Sequence, residues 1–401
     1  MTHAQRMMMA NRGAFVVVFI VLCSLPVLPL QACATKKPLV PAMFVFGDSL
    51  VDVGNNNHLP NVNNSCKANY SPYGVDYPGH SPTGRFSNGY NLADHLAQQL
   101  RFAESPPPFF SLTNAKARRF SRLTSTGGIN FASGGSGLLD TTGGSNVCGG
   151  QVVSMAEQVG NFKSLVRTWE SKKRKQRAAA ADLISNSLVF ISVGSNDLFE
   201  YSDFFADPNH DPNVTRNDPE FLQQLVGLYA NYVKDLYAAG ATKFSVVSPS
   251  LVGCCPLQRK IAKESNAMDG SGCFSTANNL SRLLYPMIDS MLQNLSQNEL
   301  PGMKYSLGDA VGMAQYILGH PRTPPNNFTK PPYQPCCGSG EFGETGCNDS
   351  VPLRDDRSSF FFWDRYHPTE TVSAITATQL FSGNSTYVHP VNVQQLVASA
   401  S

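Results

Sequence analysis

The chain has 401 residues, a formal net charge of +2, 15% charged residues and 42% hydrophobic residues. So balanced a charge excludes a nucleic-acid binder working by bulk electrostatics and a disordered acidic chain, while the apolar content suffices for a sizeable core. Thirty-two glycines and 27 prolines with no period exclude collagen and a simple coiled coil, and predict many loops between regular elements.

Taken in chain order, the first segment reads as an export signal. Arg6 and Arg12 form a basic start, Gly13 to Leu30 is apolar but broken by Pro26 and Pro29, and Ala32-Cys33-Ala34 offers the small residues a signal peptidase needs. The prolines stop the run short of the ~20 apolar residues of a membrane anchor. A signal peptide over 1–34, cleaved after Ala34, leaves 367 residues at zero net charge with no integral span and no electrostatic attraction for nucleic acid.

Eight cysteines lie beyond that point (Cys66, Cys148, Cys254, Cys255, Cys273, Cys336, Cys337, Cys347), and an even count in an exported chain predicts disulfides. Cys254 or Cys255 with Cys273, and Cys336 or Cys337 with Cys347, are candidate local staples. No C-x-x-C or paired-His spacing supports zinc instead. Sequons at Asn63, Asn69, Asn213, Asn279, Asn294, Asn327, Asn348 and Asn384 predict N-glycosylation.

Five short apolar runs alternate with helical patterns: Met43 to Phe46, Gly128 to Ala132, Leu188 to Val193, Phe244 to Val247 and Met303 to Leu307. This alternation predicts an α/β protein with a parallel sheet between helices. The clearest helix starts at Asp218-Pro219, carries Phe221, Leu222, Leu225, Val226, Tyr229, Tyr232, Val233 and Leu236 on one stripe, and stops at Gly240. Others are expected over 155–174, over 276–300 and after Pro368. No composition break marks a linker, so one domain over 35–401 is expected. The basic run Lys172 to Arg177 reads as the solvated end of a helix, favourable to its dipole. Gly338-Ser339-Gly340-Glu341-Phe342-Gly343 fits a dinucleotide fingerprint only formally, since no strand precedes it.

The first strand runs into Phe46-Gly47-Asp48-Ser49-Leu50-Val51-Asp52-Val53-Gly54-Asn55-Asn56-Asn57, which sets Ser49 at the carboxyl edge of the sheet, where ligands bind in such folds. A helix following Ser49 would aim its N–H groups at developing negative charge. A serine nucleophile needs a base, and the base an orienting acid. Of eight histidines, His367 has an acid at useful local spacing, Asp364, within Phe362-Trp363-Asp364-Arg365-Tyr366-His367-Pro368-Thr369. Pro368 then stands at a helix start. Oxyanion donors are available where two strands end, at Asn196 in Gly194-Ser195-Asn196-Asp197 and in the glycine-rich Ser133-Gly134-Gly135-Ser136-Gly137.

With these four blocks in order, the chain resembles the plant-type GDSL esterase/lipases of the SGNH hydrolase superfamily over nearly all of its mature length. The resemblance implies a single-domain α/β/α sandwich with a mainly parallel, five-stranded, flavodoxin-like sheet. It also implies Ser49 as nucleophile, His367 as base, Asp364 as orienting acid, and Ser49, Gly135 and Asn196 as oxyanion donors. The glycine follows from a register five residues after Asn130; Gly134 and Gly137 stand in the same block. The family's short nucleophile motif accounts for the absence of any G-x-S-x-G elbow.

The resulting expectation is a secreted serine esterase or lipase, in the cell wall or apoplast if the source is a plant, acting on small-molecule, lipid or acylated glycan esters without metal or organic cofactor. A polysaccharide O-acetylesterase, a catalytically silent secreted binding protein, and a metal hydrolase built on Asp364 and His367 are the competing readings. Ser105 to Phe110, with three prolines and two phenylalanines, is either part of an acyl groove or a rigid loop packed on the core.

Overall fold

Each of the five apolar runs forms a strand: β1 (Met43–Gly47), β2 (Gly128–Asn130), β3 (Leu188–Ser192), β4 (Lys243–Val247) and β5 (Lys304–Gly308). All five are parallel, in the spatial order β2-β1-β3-β4-β5. A sixth strand, β6 (Val388–His389), pairs antiparallel with Leu307 and Gly308 of β5, so the expected five-stranded sheet has six strands. Two residues are too few for any period to show in sequence. The computed structural model describes residues 37–112, 126–171, 174–331 and 333–399; the expected signal peptide 1–34 and its cleavage site after Ala34 lie outside them.

Helices cover both faces of the sheet. They are α1 (Leu92–Gln99), α2 (Met155–Glu170), α3 (Arg174–Asn186), α4 (Ser195–Ala206), α5 (Asp218–Ala238), α6 (Pro256–Glu264), α7 (Ser275–Asn294), α8 (Ala310–Gly319), α9 (Glu370–Ser382) and α10 (Val393–Ala398). Successive side chains of a strand point to opposite faces. Phe44, Phe46, Val189 and Ile191 therefore join one buried layer with α2, α5 and α7. Met43, Val45, Leu188 and Phe190 join the other with α1, α8, α9 and α10. Phe162 of α2 is wholly buried with its ring 5.0 Å from Phe44 and 5.7 Å from Phe46. Burying such a side chain stabilises the fold by about 1.5–3 kcal/mol.

Local signals set the helix starts. Ser154 and Glu157 form a reciprocal capping box on α2, and the Asn217 side chain accepts the Glu220 N–H to cap α5. Two sequence expectations are corrected here. Arg174, Lys175 and Arg177 open α3 rather than close α2, so their charges oppose the helix dipole and the exposed positions they occupy are tolerated through hydration. Pro368 precedes the helix instead of starting it, because Thr369 is the N-cap of α9. Among the described residues no helix is long and apolar enough to cross a membrane.

Among the described residues three disulfides form, Cys66–Cys148, Cys254–Cys273 and Cys337–Cys347, while Cys255 and Cys336 are free and buried. Burial pushes the Cys255 thiol up and that of Cys336 up to about 12, which keeps both protonated and poorly nucleophilic.

Candidate active site

Ser49 sits two residues beyond a strand end that only glycine can make. Gly47 has φ +147°, and a Cβ there would lie 2.0 Å from the Ser192 carbonyl oxygen on β3. Gln158 of α2 clamps this residue from both sides: its side-chain oxygen accepts the Gly47 N–H at 2.9 Å and its amide donates to the Gly47 carbonyl at 2.9 Å. The helix expected after Ser49 is not formed. Instead the Asp48 carbonyl accepts the N–H groups of Val51 and Asp52 at 3.2 and 3.0 Å, and Asp48 Oδ1 accepts the Leu50 N–H at 3.0 Å. This turn orients Ser49 without a helix dipole behind it.

His367 and Asp364 arrive from a loop between α8 and α9. His367 Nε2 lies 2.8 Å from Ser49 Oγ, and His367 Nδ1 lies 2.9 and 2.8 Å from the two oxygens of Asp364. With Nδ1 donating to the carboxylate, Nε2 is left to accept the Ser49 hydroxyl. Asp364 Oδ1 also accepts the N–H groups of Tyr366 and His367, both at 2.8 Å, and Oδ2 accepts the Tyr73 hydroxyl at 2.7 Å. Burial acts to raise this carboxyl, but the His367 charge and these N–H donors outweigh it and hold Asp364 below the usual carboxylate range. Burial, and after it the Asp364 charge, raises Tyr73 well above an ordinary phenol, so its O–H stays a donor. Asp48 behaves in the opposite way: burial lifts it to about 7, and its Oδ2 has no hydrogen-bond partner among the described residues.

The glycine-rich block and the strand leading into it are stitched to Ser49's turn by two of the three asparagines that follow it, Asn55 and Asn56. Asn55 Nδ2 donates to the carbonyls of Asn130 and Ala132, Asn56 Nδ2 to those of Cys66 and Gly134, and Asn57 Nδ2 to that of Thr83. Of the three candidate glycines, Gly134 donates its N–H to Asp52 Oδ2 at 3.0 Å, and a Cβ on Gly137 would meet Asp197 Oδ1 at 2.5 Å. Gly135 is the one that lines the cavity holding Ser49, His367 and Asn196. Its φ is +86°, and a Cβ there would lie 2.8 Å from Cys148 Sγ, so the Cys66–Cys148 disulfide forms its backing. Asn196, in the first turn of α4, spends one amide hydrogen on the Ser136 carbonyl at 2.9 Å. The neighbouring Asp197 accepts the N–H groups of Leu138 and Leu139 and the Thr142 hydroxyl, locking α4 to this loop.

A cavity of about 330 Å³ opens beside Ser49. Its two long walls differ. Helix α4 presents Asn196, Phe199, Glu200 and Asp203, a stripe at helical spacing that is polar except for Phe199. Burial raises both carboxyls, Asp203 to about 6. Helix α8 presents only apolar side chains, and Leu251, Val252, Phe361, Phe362 and Val372 continue that wall. The Ser105–Phe110 loop takes no part: Phe109 packs 5.1 Å from Phe131, and the Phe110 N–H donates to Asn55 Oδ1.

Every residue that the sequence proposed for the site (Ser49, Asp364, His367, Gly135 and Asn196) lines this cavity, apart from Asp364, which lies behind His367. Sequence reasoning missed Tyr73, Gln158 and Phe86, whose ring lies 4.9 Å from that of His367. Tyr73 is 291 residues from the acid it contacts and sits in a loop with no period, so no local signal exists for it.

Comparisons with known proteins place the chain as a whole. The sequence model of GDSL-like lipases/acylhydrolases matches residues 43–380. A GDSL esterase/lipase of Arabidopsis thaliana is 33% identical over 373 residues, covering 92% of this chain and 93% of that protein. A second is 35% identical over 376 residues, covering 94% and 90%, and a third 32% identical over 401 residues, covering 99% of each.

Proposed function

Since this chain belongs to the GDSL-like lipase/acylhydrolase family and is an ester-bond hydrolase, we propose that it is a secreted serine esterase or lipase in which Ser49, His367 and Asp364 form the catalytic triad. The observation that carries the reading is the unbroken relay from Ser49 Oγ through His367 to a buried, hydrogen-bonded Asp364. The apolar wall beside Ser49 supports acyl or lipid esters rather than acetylated glycans as substrates.

In this mechanism His367 Nε2 takes the Ser49 proton as Oγ bonds to the ester carbonyl carbon. The negative oxygen of the tetrahedral intermediate lies against the N–H groups of Ser49 and Gly135 and the Asn196 amide, neither backbone N–H having another acceptor among the described residues. Collapse breaks the bond to the alcohol oxygen, which leaves with the proton from His367. Water then repeats the sequence on the acyl-enzyme, releasing carboxylate and restoring Ser49. Asp364 stays ionised throughout, consistent with its lowered pKa.

The same proposal takes residues 1–34 as a removed signal peptide, 35–401 as the hydrolase domain, and the sequons as glycosylated. Three disulfides fit an oxidising compartment. All sequon asparagines are exposed except Asn348, which is half-buried. Ser49→Ala is the direct test: turnover of a short p-nitrophenyl ester and labelling by a fluorophosphonate should both vanish, and undiminished turnover removes Ser49 as nucleophile.

A further inference from the structure

Helix α8 turns a single stripe to the cavity, Ala310, Met313, Ala314, Ile317 and Leu318, at spacings of three and four residues. None carries a polar side-chain group, and Met313, Ala314 and Ile317 are shielded from bulk solvent. At the far side of this wall Ile317 packs with Phe328, Phe361, Phe362 and Val372 in one apolar cluster. Behind it lies a second, smaller space of about 20 Å³, between α8 and α9, lined among others by Tyr316, Pro325, Ile375 and Tyr387. Met313, Ile317 and Thr376 line both spaces and so form the partition between them.

A solvent-shielded, uncharged lane that opens on a nucleophile can gain binding free energy only from an apolar substrate part. An acetyl group would leave most of it unfilled. The stripe from Ala310 to Ile317 extends about 10 Å at 1.5 Å per residue, and a zigzag chain of ~1.5 Å carbon–carbon bonds covers that length with about eight carbons.

We propose that the α8 lane is the acyl-binding channel, that it takes linear medium-chain acyl groups of about eight carbons, and that Ile317, with Met313 and Thr376, is the partition that limits chain length. This rests on Ser49 being the nucleophile. Removing the Ile317 side chain joins the two spaces, and enlarging Ala314 fills the lane.

The experiment measures kcat/KM for p-nitrophenyl esters from two to sixteen carbons in the wild type, Ala314→Phe and Ile317→Ala. Each methylene accommodated in the channel is expected to multiply kcat/KM about fourfold, so the wild-type profile rises from acetate to a maximum near eight carbons. Ala314→Phe should lower the ratio of octanoate to acetate at least tenfold, and Ile317→Ala should raise the ratio of tetradecanoate to octanoate by a similar factor. Ratios within one protein are insensitive to partial misfolding. Should either variant fail to fold, the other and the wild-type profile decide. A wild-type profile that peaks at acetate, or variant profiles superimposable on the wild type, overturns the channel. Fluorophosphonate labelling separates the two levels: a protein that labels at Ser49 and shows flat profiles loses only the channel, and one that neither labels nor turns over any ester loses the serine mechanism itself.

Discussion

Tyr73→Phe deletes one oxygen and leaves the ring that packs against Phe86 and Trp363, at centroid separations of 6.2 and 6.4 Å. The lost O–H donates to Asp364 Oδ2 at 2.7 Å, and that oxygen belongs to a carboxylate only 5% exposed. A hydrogen bond to a charged group is worth about 1.5–3 kcal/mol, and leaving a buried acceptor short of a donor costs at the upper part of that range. The variant should therefore lose about 2 kcal/mol of stability.

The catalytic consequence is smaller than loss of the acid itself. Asp364 keeps the His367 Nδ1 contact and the N–H groups of Tyr366 and His367, so it remains ionised and close to the imidazole. Replacing the acid of such a triad typically lowers kcat ~10,000-fold; weakening one of its supports should lower kcat about tenfold. KM should stay near the wild-type value, because Tyr73 does not line the cavity. Steady-state kinetics on a p-nitrophenyl ester, the rate of fluorophosphonate labelling and a urea unfolding curve test this together. A kcat within twofold of wild type alongside the expected loss of stability refutes the positioning role and leaves Tyr73 a packing residue.

Three further outcomes are expected. Asn196→Ala should reduce kcat by about 100- to 1,000-fold with little change in KM, and a drop below fivefold on the same assay removes it as an oxyanion donor. Burial lifts Asp48 from 3.8 to about 7, so its contribution to stability is fully present below about pH 4 and is lost as pH rises through 7, by at most about 4 kcal/mol. Asp48→Asn retains an acceptor for the Leu50 N–H and should flatten that slope, and unfolding free energies at pH 4.5 and 8 that differ equally in both proteins contradict it. The double variant Cys66→Ser with Cys148→Ser releases a link between residues 82 apart, worth about 4.5 kcal/mol in chain entropy, and frees the surface behind Gly135. It should lower both the unfolding midpoint and kcat, and an unchanged kcat in the folded fraction shows that Gly135 is held by other contacts.

What was legible in the sequence follows from where the controlling interactions lie. Strands β1 and β3 are nearly continuous apolar runs because both faces of a parallel sheet are buried, and α5 shows its stripe because one side meets solvent. Helix α8 was hidden for the converse reason: Ala310, Val311, Met313, Ala314 and Ile317 are all buried, and the exposed side contributes one strongly polar residue, Gln315, too little to show a period. Helix α4 was hidden because its start, Gly194-Ser195-Asn196, reads equally as a turn. Ser49, His367 and Asp364 could be named because their chemistry demands those residue types. Gln158, Tyr73 and Phe86 act through contacts 111, 291 and 281 residues away along the chain, and no short-range pattern encodes them. Gly135 was fixed only by register, and the hydrogen bond that occupies the Gly134 N–H is a tertiary fact.

The two halves of the site are held by different physics. β1, β2 and β3 are neighbours, so the Ser49 turn, the Gly135 loop and the Asn196 helix all leave one sheet edge within two strand spacings, about 10 Å. Their mutual positions are inherited from the sheet and reinforced by Asn55, Asn56 and Asp197. His367 has no such support, because it comes from a loop beyond β5. Its fixtures lie outside the sheet: the Trp363 N–H donates to the His367 carbonyl at 2.7 Å, the Cys337 N–H donates to the Trp363 carbonyl, and Cys337 is tied to Cys347. From α6, the Leu257 N–H donates to the Arg365 carbonyl at 3.1 Å. Damage to this loop scaffold should therefore withdraw His367 from Ser49 while the sheet, with Gly135 and Asn196, stays folded, whereas damage to the β1–β3 edge should cost stability and activity together.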